Sequence, residues 1–199
     1  MQAALPVPVN SDAPQDSGND WISHRSSASD GQGHWVTVWI AADQRRILAS
    51  TSFDNGTSWS EAVVVHDTGS SQNLGVTEIS SDRNGIWIVV WNERRSAESE
   101  TGPDFDIFYS RSTDNGATWS PAAPVNSNAT TDTGNDGFPS LTCNSAGHWL
   151  VVWHSDNPPS GTLTTERDIW SAHSTDGGLT WSSPIPVNPE AGQDQADDF

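Results

Sequence analysis

Three pairs of aspartates recur along this chain at one spacing: Asp16 and Asp20, Asp132 and Asp136, Asp194 and Asp198. The second member of each pair lies ten residues after an asparagine, Asn10, Asn126 or Asn188. Carboxylates gathered on loops repel one another unless salt screens them or a cation settles between them. Calcium suits such a set, since it takes about six to eight oxygens at flexible geometry. The simpler account is that each first Asp hydrogen-bonds its own loop and each second one caps the strand that follows. Trp21 directly follows Asp20, and its aromatic face beside an acidic loop is available to stack on a sugar ring. Arg25 stands between Ser23-His24 and Ser26-Ser27, and Arg94 and Arg95 follow Trp91-Asn92-Glu93. These three arginines are candidate ligand contacts, with pairing of Arg94 and Arg95 to Glu93 or nearby aspartates as the structural alternative. Cys143 is the only cysteine, which rules out an internal disulfide, and its apolar-flanked strand suits a small core residue. The six histidines show no metal-ligand spacing, and His34 with His148 occupies one repeated position, as packing residues do.

The elements that must hold these residues repeat. Ser52-Phe53-Asp54-Asn55-Gly56-Thr57-Ser58-Trp59 superimposes on Ser112–Trp119 and on Ser174–Trp181, with aspartates 60 and 62 residues apart. Gly33-His34-Trp35-Val36-Thr37-Val38-Trp39 keeps step with 85–91 and 147–153, and Pro8-Val9-Asn10 with 124–126 and 186–188. Val65-His66 holds that last place in the remaining unit. A period of about 60 with several short strands per unit suits propeller blades and not helical solenoids. The W-x-x-x-W runs put both tryptophans on one face and valines on the other, as expected of a strand buried on both sides, a blade's inner strand. The first strands are expected at 21–26, 75–80 and 138–144, the third at 46–52, 106–112 and 168–174, and the fourth at 61–66, 122–126 and 183–188. No segment has a helical period. In each S-x-D-x-G turn the glycine supplies positive φ, while the aspartate accepts N–H and hydroxyl donors of its own turn. The terminal Glu and further oxygen ligands of an EF-hand are missing from this turn.

S-x-D-x-G-x-T-W at blade spacing resembles the Asp-box, or BNR, repeat of the sialidase superfamily. The resemblance covers nearly the whole chain, and Ser58 stands where the family has Thr. It implies an all-β propeller of four-stranded antiparallel blades, three of them present. Blade 1 is expected over 11–66, blade 2 over 67–126 and blade 3 over 127–188. Residues 1–10 would close a preceding blade and 189–199 would start another, so that further blades of the same chain, or a homo-oligomer, complete the ring. The resemblance also implies an extracellular setting, and a site on the face opposite the boxes. That face receives the six aspartates and the insertions 92–104 and 155–167. A sialidase of this kind uses three arginines on the substrate carboxylate, an Asp acid/base and a Tyr–Glu nucleophile pair. Tyr109, the only tyrosine, aligns with Ala49 and Ser171 on the box side, and no arginine triad can be assembled. The leading expectation is a non-catalytic propeller module that binds a glycan or other extracellular ligand on its acidic loop face. The alternatives are a fragment of an active exo-sialidase or glycoside hydrolase, and a structural adhesion or assembly module.

Composition narrows the partners. The 199 residues carry a formal charge of −18, with eight arginines and no lysine. That balance excludes nucleic acid and anionic membrane surfaces, both of which need a basic footprint. No apolar run approaches the ~20 residues of a membrane span, and no signal peptide is visible at Met1. No cofactor is required by these residues, and calcium is the one the aspartates suggest.

Overall fold

The computed structural model of the chain describes residues 8–9, 19–23, 25–69, 73–95, 99–156 and 167–187. They form three sheets of four antiparallel strands, each in simple sequence order. The first contains β1 (Ser27–Ser29), β2 (Trp35–Ile40), β3 (Arg46–Ser52) and β4 (Val63–Asp67). The second contains β5 (Asn73–Ser81), β6 (Trp87–Arg94), β7 (Phe105–Ser112) and β8 (Ala123–Pro124). The third contains β9 (Asp136–Cys143), β10 (Trp149–Ser155), β11 (Asp168–Ser174) and β12 (Ile185–Pro186). No helix occurs among the described residues. Val38 pairs with Ala49, Val90 with Tyr109 and Val152 with Ser171, so the three blades share one register.

Two expectations need correction. The first strand of blade 1 lies at Ser27–Ser29 and not at 21–26, because a turn interrupts it. The Ser26 hydroxyl donates to the Ser23 carbonyl and accepts the Ser23 N–H, both at 2.7 Å, and Trp21 keeps only an isolated bridge to Ile40. The tryptophan strand is also not the innermost. The first strands touch one another, β1 with β5 and β5 with β9, so they line the axis and the tryptophan strands come second.

Alternation in the second strands builds the core. Trp87, Val89 and Trp91 of blade 2 join Val36 and Val38 of blade 1 in one buried cluster. Ile88 and Val90, on the other face of β6, join Trp149, Val151 and Trp153 of blade 3 in a second. Each tryptophan face therefore packs on the aliphatic face of the blade before it. Trp35 at one end is 38% exposed and Leu150 at the other is 39% exposed, since neither has that neighbour among the described residues.

The boxes are hydrogen-bonded turns built alike. Ser112 Oγ donates to Asp114 Oδ1 at 2.8 Å and accepts the Gly116 N–H at 2.9 Å, while the Thr118 N–H donates to Asp114 Oδ1 at 2.9 Å. In box one, Ser58 substitutes fully for threonine: its N–H and hydroxyl reach Asp54 at 2.8 and 2.7 Å. A serine after each box tryptophan adds a second clasp not noticed in the sequence. Ser60, Ser120 and Ser182 accept the N–H groups of Thr51, Arg111 and His173 at 3.0–3.1 Å.

Candidate functional site

Opposite the boxes lie the turns from second to third strands and the connections between blades. Two segments meet there between blades 2 and 3: the loop after β6 where it enters β7, and the connection into β9. One carboxylate oxygen from each of Asp104, Asp106 and Asp132 lies within 4.8 Å of the others. Asn126, the last residue of the P-V-N element, fixes this corner from below. Its amide donates to Asp106 Oδ1 at 2.9 Å and its carbonyl accepts the Ile107 N–H at 3.2 Å. Asn128 donates its side-chain amide to Asp132 Oδ2. Asp136 opens β9 and is only 2% exposed.

Electrostatically this corner is unusual for an acidic protein. Burial, joined by the charges of Asp132 and Asp104, pushes Asp106 up to about 8 against the hydrogen bond from Asn126. Burial is also the main cause that holds Asp136 well above the usual carboxylate range, with Asp132 and Asp106 adding to it. Asp104 is raised by burial, and by Asp156 after that. On the neighbouring strand of the same blade, Glu93 pairs with Asp106 in the sheet and yet occupies a contrasting environment. His66 Nε2 lies 2.8 Å from its Oε2 and Arg95 Nε 3.2 Å from its Oε1, and the Trp91 indole N–H donates to Oε2 at 3.0 Å. Burial raises the Glu93 carboxyl, but these contacts outweigh it and hold the group below its usual range.

The candidate residues are thus separated into three places. Arg95 pairs with Glu93, as the structural alternative had it, and lies over the Phe108 ring at 3.9 Å. Arg94 donates its Nε to the Pro103 carbonyl at 2.7 Å. Trp21 is 57% exposed and Ile22 76% exposed; with Gln44 and Leu74 they line an open pocket of about 390 Å³ between the segment ahead of β1 and the start of β5. Reciprocal hydrogen bonds of 2.9 Å with Ile40 hold the Trp21 backbone. Arg25 is exposed in the turn just before β1, and its carbonyl accepts the Ile79 N–H of blade 2 at 3.1 Å. Asp20 accepts the Ala42 N–H at 3.1 Å. Of the expected metal ligands, Asp132 and Asp136 are brought to one corner, while Asp16, Asp194 and Asp198 lie outside the described residues.

Asp104 and Asp106 escaped the sequence reading, which used them only to end a loop and begin a strand. A signal existed: Asp168 starts the equivalent strand of blade 3, whereas blade 1 has Arg46 there. Tyr109 sits on the box side, its hydroxyl donating to the Leu179 carbonyl at 3.2 Å and its ring edge-on to Trp181. Cys143 is half-buried and packs against the margin of the second core cluster; with Ala28, Asp82 and Asn144 it also lines an axial cavity of about 350 Å³ at the box end. Burial pushes its thiol up to about 11.

Comparison with known proteins places these observations. The BNR/Asp-box repeat family matches residues 110–121 and 172–183, the second and third boxes. No curated protein matches the sequence. Among solved structures, the Hadza microbial sialidase Hz136 superimposes with a TM-score of 0.59 at 15% identity, covering 82% of this chain and 37% of that one. An α-L-arabinanase of Penicillium chrysogenum complexed with arabinobiose gives 0.53 at 15% identity, covering 77% and 44%. An N-acetylgalactosamine deacetylase from F. plautii in complex with blood group B trisaccharide gives 0.54 at 10% identity, covering 92% and 56%. The chain spans less than two thirds of each of these proteins, and at such identities the likeness establishes the fold. That fold is an all-β arrangement of propeller blades, two of whose turns match the Asp-box repeat.

Proposed function

We propose that these Asp-box blades form part of a carbohydrate-binding propeller whose ligand sits on the loop face, at the pocket that Trp21 lines. The observation that carries this reading is the exposed Trp21–Ile22 pair at an open pocket beside the axial strands. A large apolar ring held by a fixed backbone and left bare to solvent is the form sugar-stacking platforms take. The pocket's about 390 Å³ is within the range of small-ligand sites. Gln44 supplies a neutral hydrogen-bonding group at its rim, and Arg25 stands on the same stretch of chain. Arg94 and Arg95 flank the neighbouring corner of this face as secondary contacts. Binding in the absence of catalysis is the reading for this chain itself, since its only tyrosine is engaged with Leu179 and Trp181 on the box side.

A glycan array probed with the purified chain, followed by calorimetry with arabinobiose and with each glycan that scores, tests the proposal. Wild type is expected to bind at least one saccharide, and Trp21→Ala to weaken it about tenfold, the loss of one stacking contact. Binding unaffected by Trp21→Ala, or no binding to any saccharide, overturns it. A second reading has its own support: the chain spans 37% and 44% of a sialidase and an arabinanase that share its fold. Under that reading these blades belong to an exo-acting glycoside hydrolase whose nucleophile and arginines lie in further blades. Turnover of a fluorogenic sialoside or arabinoside by the whole protein, with none by this chain, supports it.

A further inference from the structure

The carboxylates between blades 2 and 3 have more to do than decorate a loop. We propose that Asp104, Asp106 and Asp132, backed by Asp136, form a binding site for a calcium-class divalent cation that clasps the connection between the two blades. Three features lead there. The first is geometry. The three oxygens lie within 4.8 Å of one another, and an ion with bonds of about 2.3–2.6 Å holds oxygens no more than about 5 Å apart across it.

The second is unmet hydrogen bonding at depth. Asp136 stands outside that triad at 2% exposure, and its Oδ1 has no hydrogen-bond partner among the described residues. Asp136 interacts electrostatically with both Asp132 and Asp106. Among the described residues Asp104, at 7% exposure, has no hydrogen-bond partner for either oxygen, and Asp106 has none for Oδ2, because Asn126 takes only Oδ1. Buried carboxylate oxygens without a donor are strongly unfavourable unless a cation meets them. Arg94 and Arg95 act on Asp104 and Asp106 only through their charge, with their Nε groups directed to the Pro103 carbonyl and to Glu93. The chain contains no lysine to serve instead.

The third is donor chemistry. Every ligand is a carboxylate, with neither His nor Cys in the group, which selects hard cations over zinc. The ligands come from two segments far apart in sequence, the stretch entering β7 and the connection ahead of β9, an arrangement that suits calcium's tolerant geometry better than magnesium's strict octahedron. A bound ion would tie the loop ahead of β7 to the connection ahead of β9, setting the shape of the loop face beside Arg94 and Arg95. This inference stands independently of the glycan proposal, because ion binding is read without any saccharide.

The test is calorimetric titration of the EDTA-stripped chain with calcium chloride, alongside thermal melts at matched ionic strength in sodium chloride. Saturable binding is expected, with a dissociation constant in the range of about 1 µM to 1 mM. Calcium at 100-fold that value should raise the melting temperature by about 5–10 °C, and sodium chloride should not. Asp106→Asn and Asp104→Asn, each isosteric, should remove one equivalent of bound ion and the calcium-dependent shift. Both variants should melt no lower than the calcium-free wild type, since each puts a neutral amide of the same shape in place of a carboxyl crowded by other carboxyls, and that separates lost binding from lost folding. Absence of saturable binding, equal shifts from the two salts, or unchanged ion stoichiometry in both variants overturns the proposal.

Discussion

At the scale of single residues, the box aspartates show how much one carboxylate can organise. Asp114 accepts from Ser112, from the Thr118 N–H and from the Thr118 hydroxyl, although it is itself exposed. Because water competes at such a site, Asp114→Ala should cost about 1–2 kcal/mol by urea denaturation, the low end for a broken hydrogen-bonded turn. These bonds favour the ionised form. In box one the Ser58 and Ser52 contacts lower Asp54 to about 2 from its usual 3.8, and Asp114 and Asp176 are lowered too. A carboxyl whose folded pKa is depressed stabilises above its unfolded pKa and loses that contribution as the pH falls through the folded one. The boxes should therefore weaken between about pH 4 and pH 2. A variant carrying Asp54→Asn, Asp114→Asn and Asp176→Asn should lose less of its urea midpoint over that window than wild type does. The box residues were legible from sequence because their partners lie within four positions. Asp104 and Asp106 were not, since their significance depends on Asp132, which only the fold brings alongside.

At the scale of elements, third strands were readable to within a residue because each ends on a box serine and has a charged residue at its first or second position. The first strand of blade 1 was misplaced because the Ser23–Ser26 turn uses the same small polar residues that an exposed strand would. Box glycines reveal a difference between blades that the repeat conceals. All three have positive φ, but a Cβ on Gly178 would lie 2.1 Å from Ile88 Cδ1, and one on Gly116 2.9 Å from Thr51 Cγ2. On Gly56 it would meet only Trp59, at 3.8 Å. Gly56→Ala should then cost about 1–2 kcal/mol for its backbone conformation alone. Gly178→Ala should cost about 1–3 kcal/mol more, because Ile88 must shift within a close-packed core. Equal losses for the two variants in chemical denaturation would show that the glycine serves its own turn and not the contact between blades. Arg111 reinforces that contact, its Nε donating to the Gly177 carbonyl of the following box at 2.6 Å.

At the scale of the molecule, the main contacts between blades among the described residues join neighbours in sequence, so stability is a sum of blade terms and contact terms. The central blade has both faces covered, and Trp87 through Trp91 are fully buried. Hydrogen exchange should accordingly be slowest in β6 and fastest in the short outer strands β8 and β12, a gradient that exchange mass spectrometry reads directly. The alternation of tryptophan and aliphatic faces also has a consequence for symmetry. The two bare faces, around Trp35 and around Leu150, are unlike, so a contact between copies at these faces is head-to-tail and never face-to-self. If a second copy, and not further blades, completed the disc, the twofold axis relating the pair would have to coincide with the propeller axis. Every loop-face feature would then be present twice, half a turn apart, with the Trp21 pocket of one copy facing its own image across the central channel.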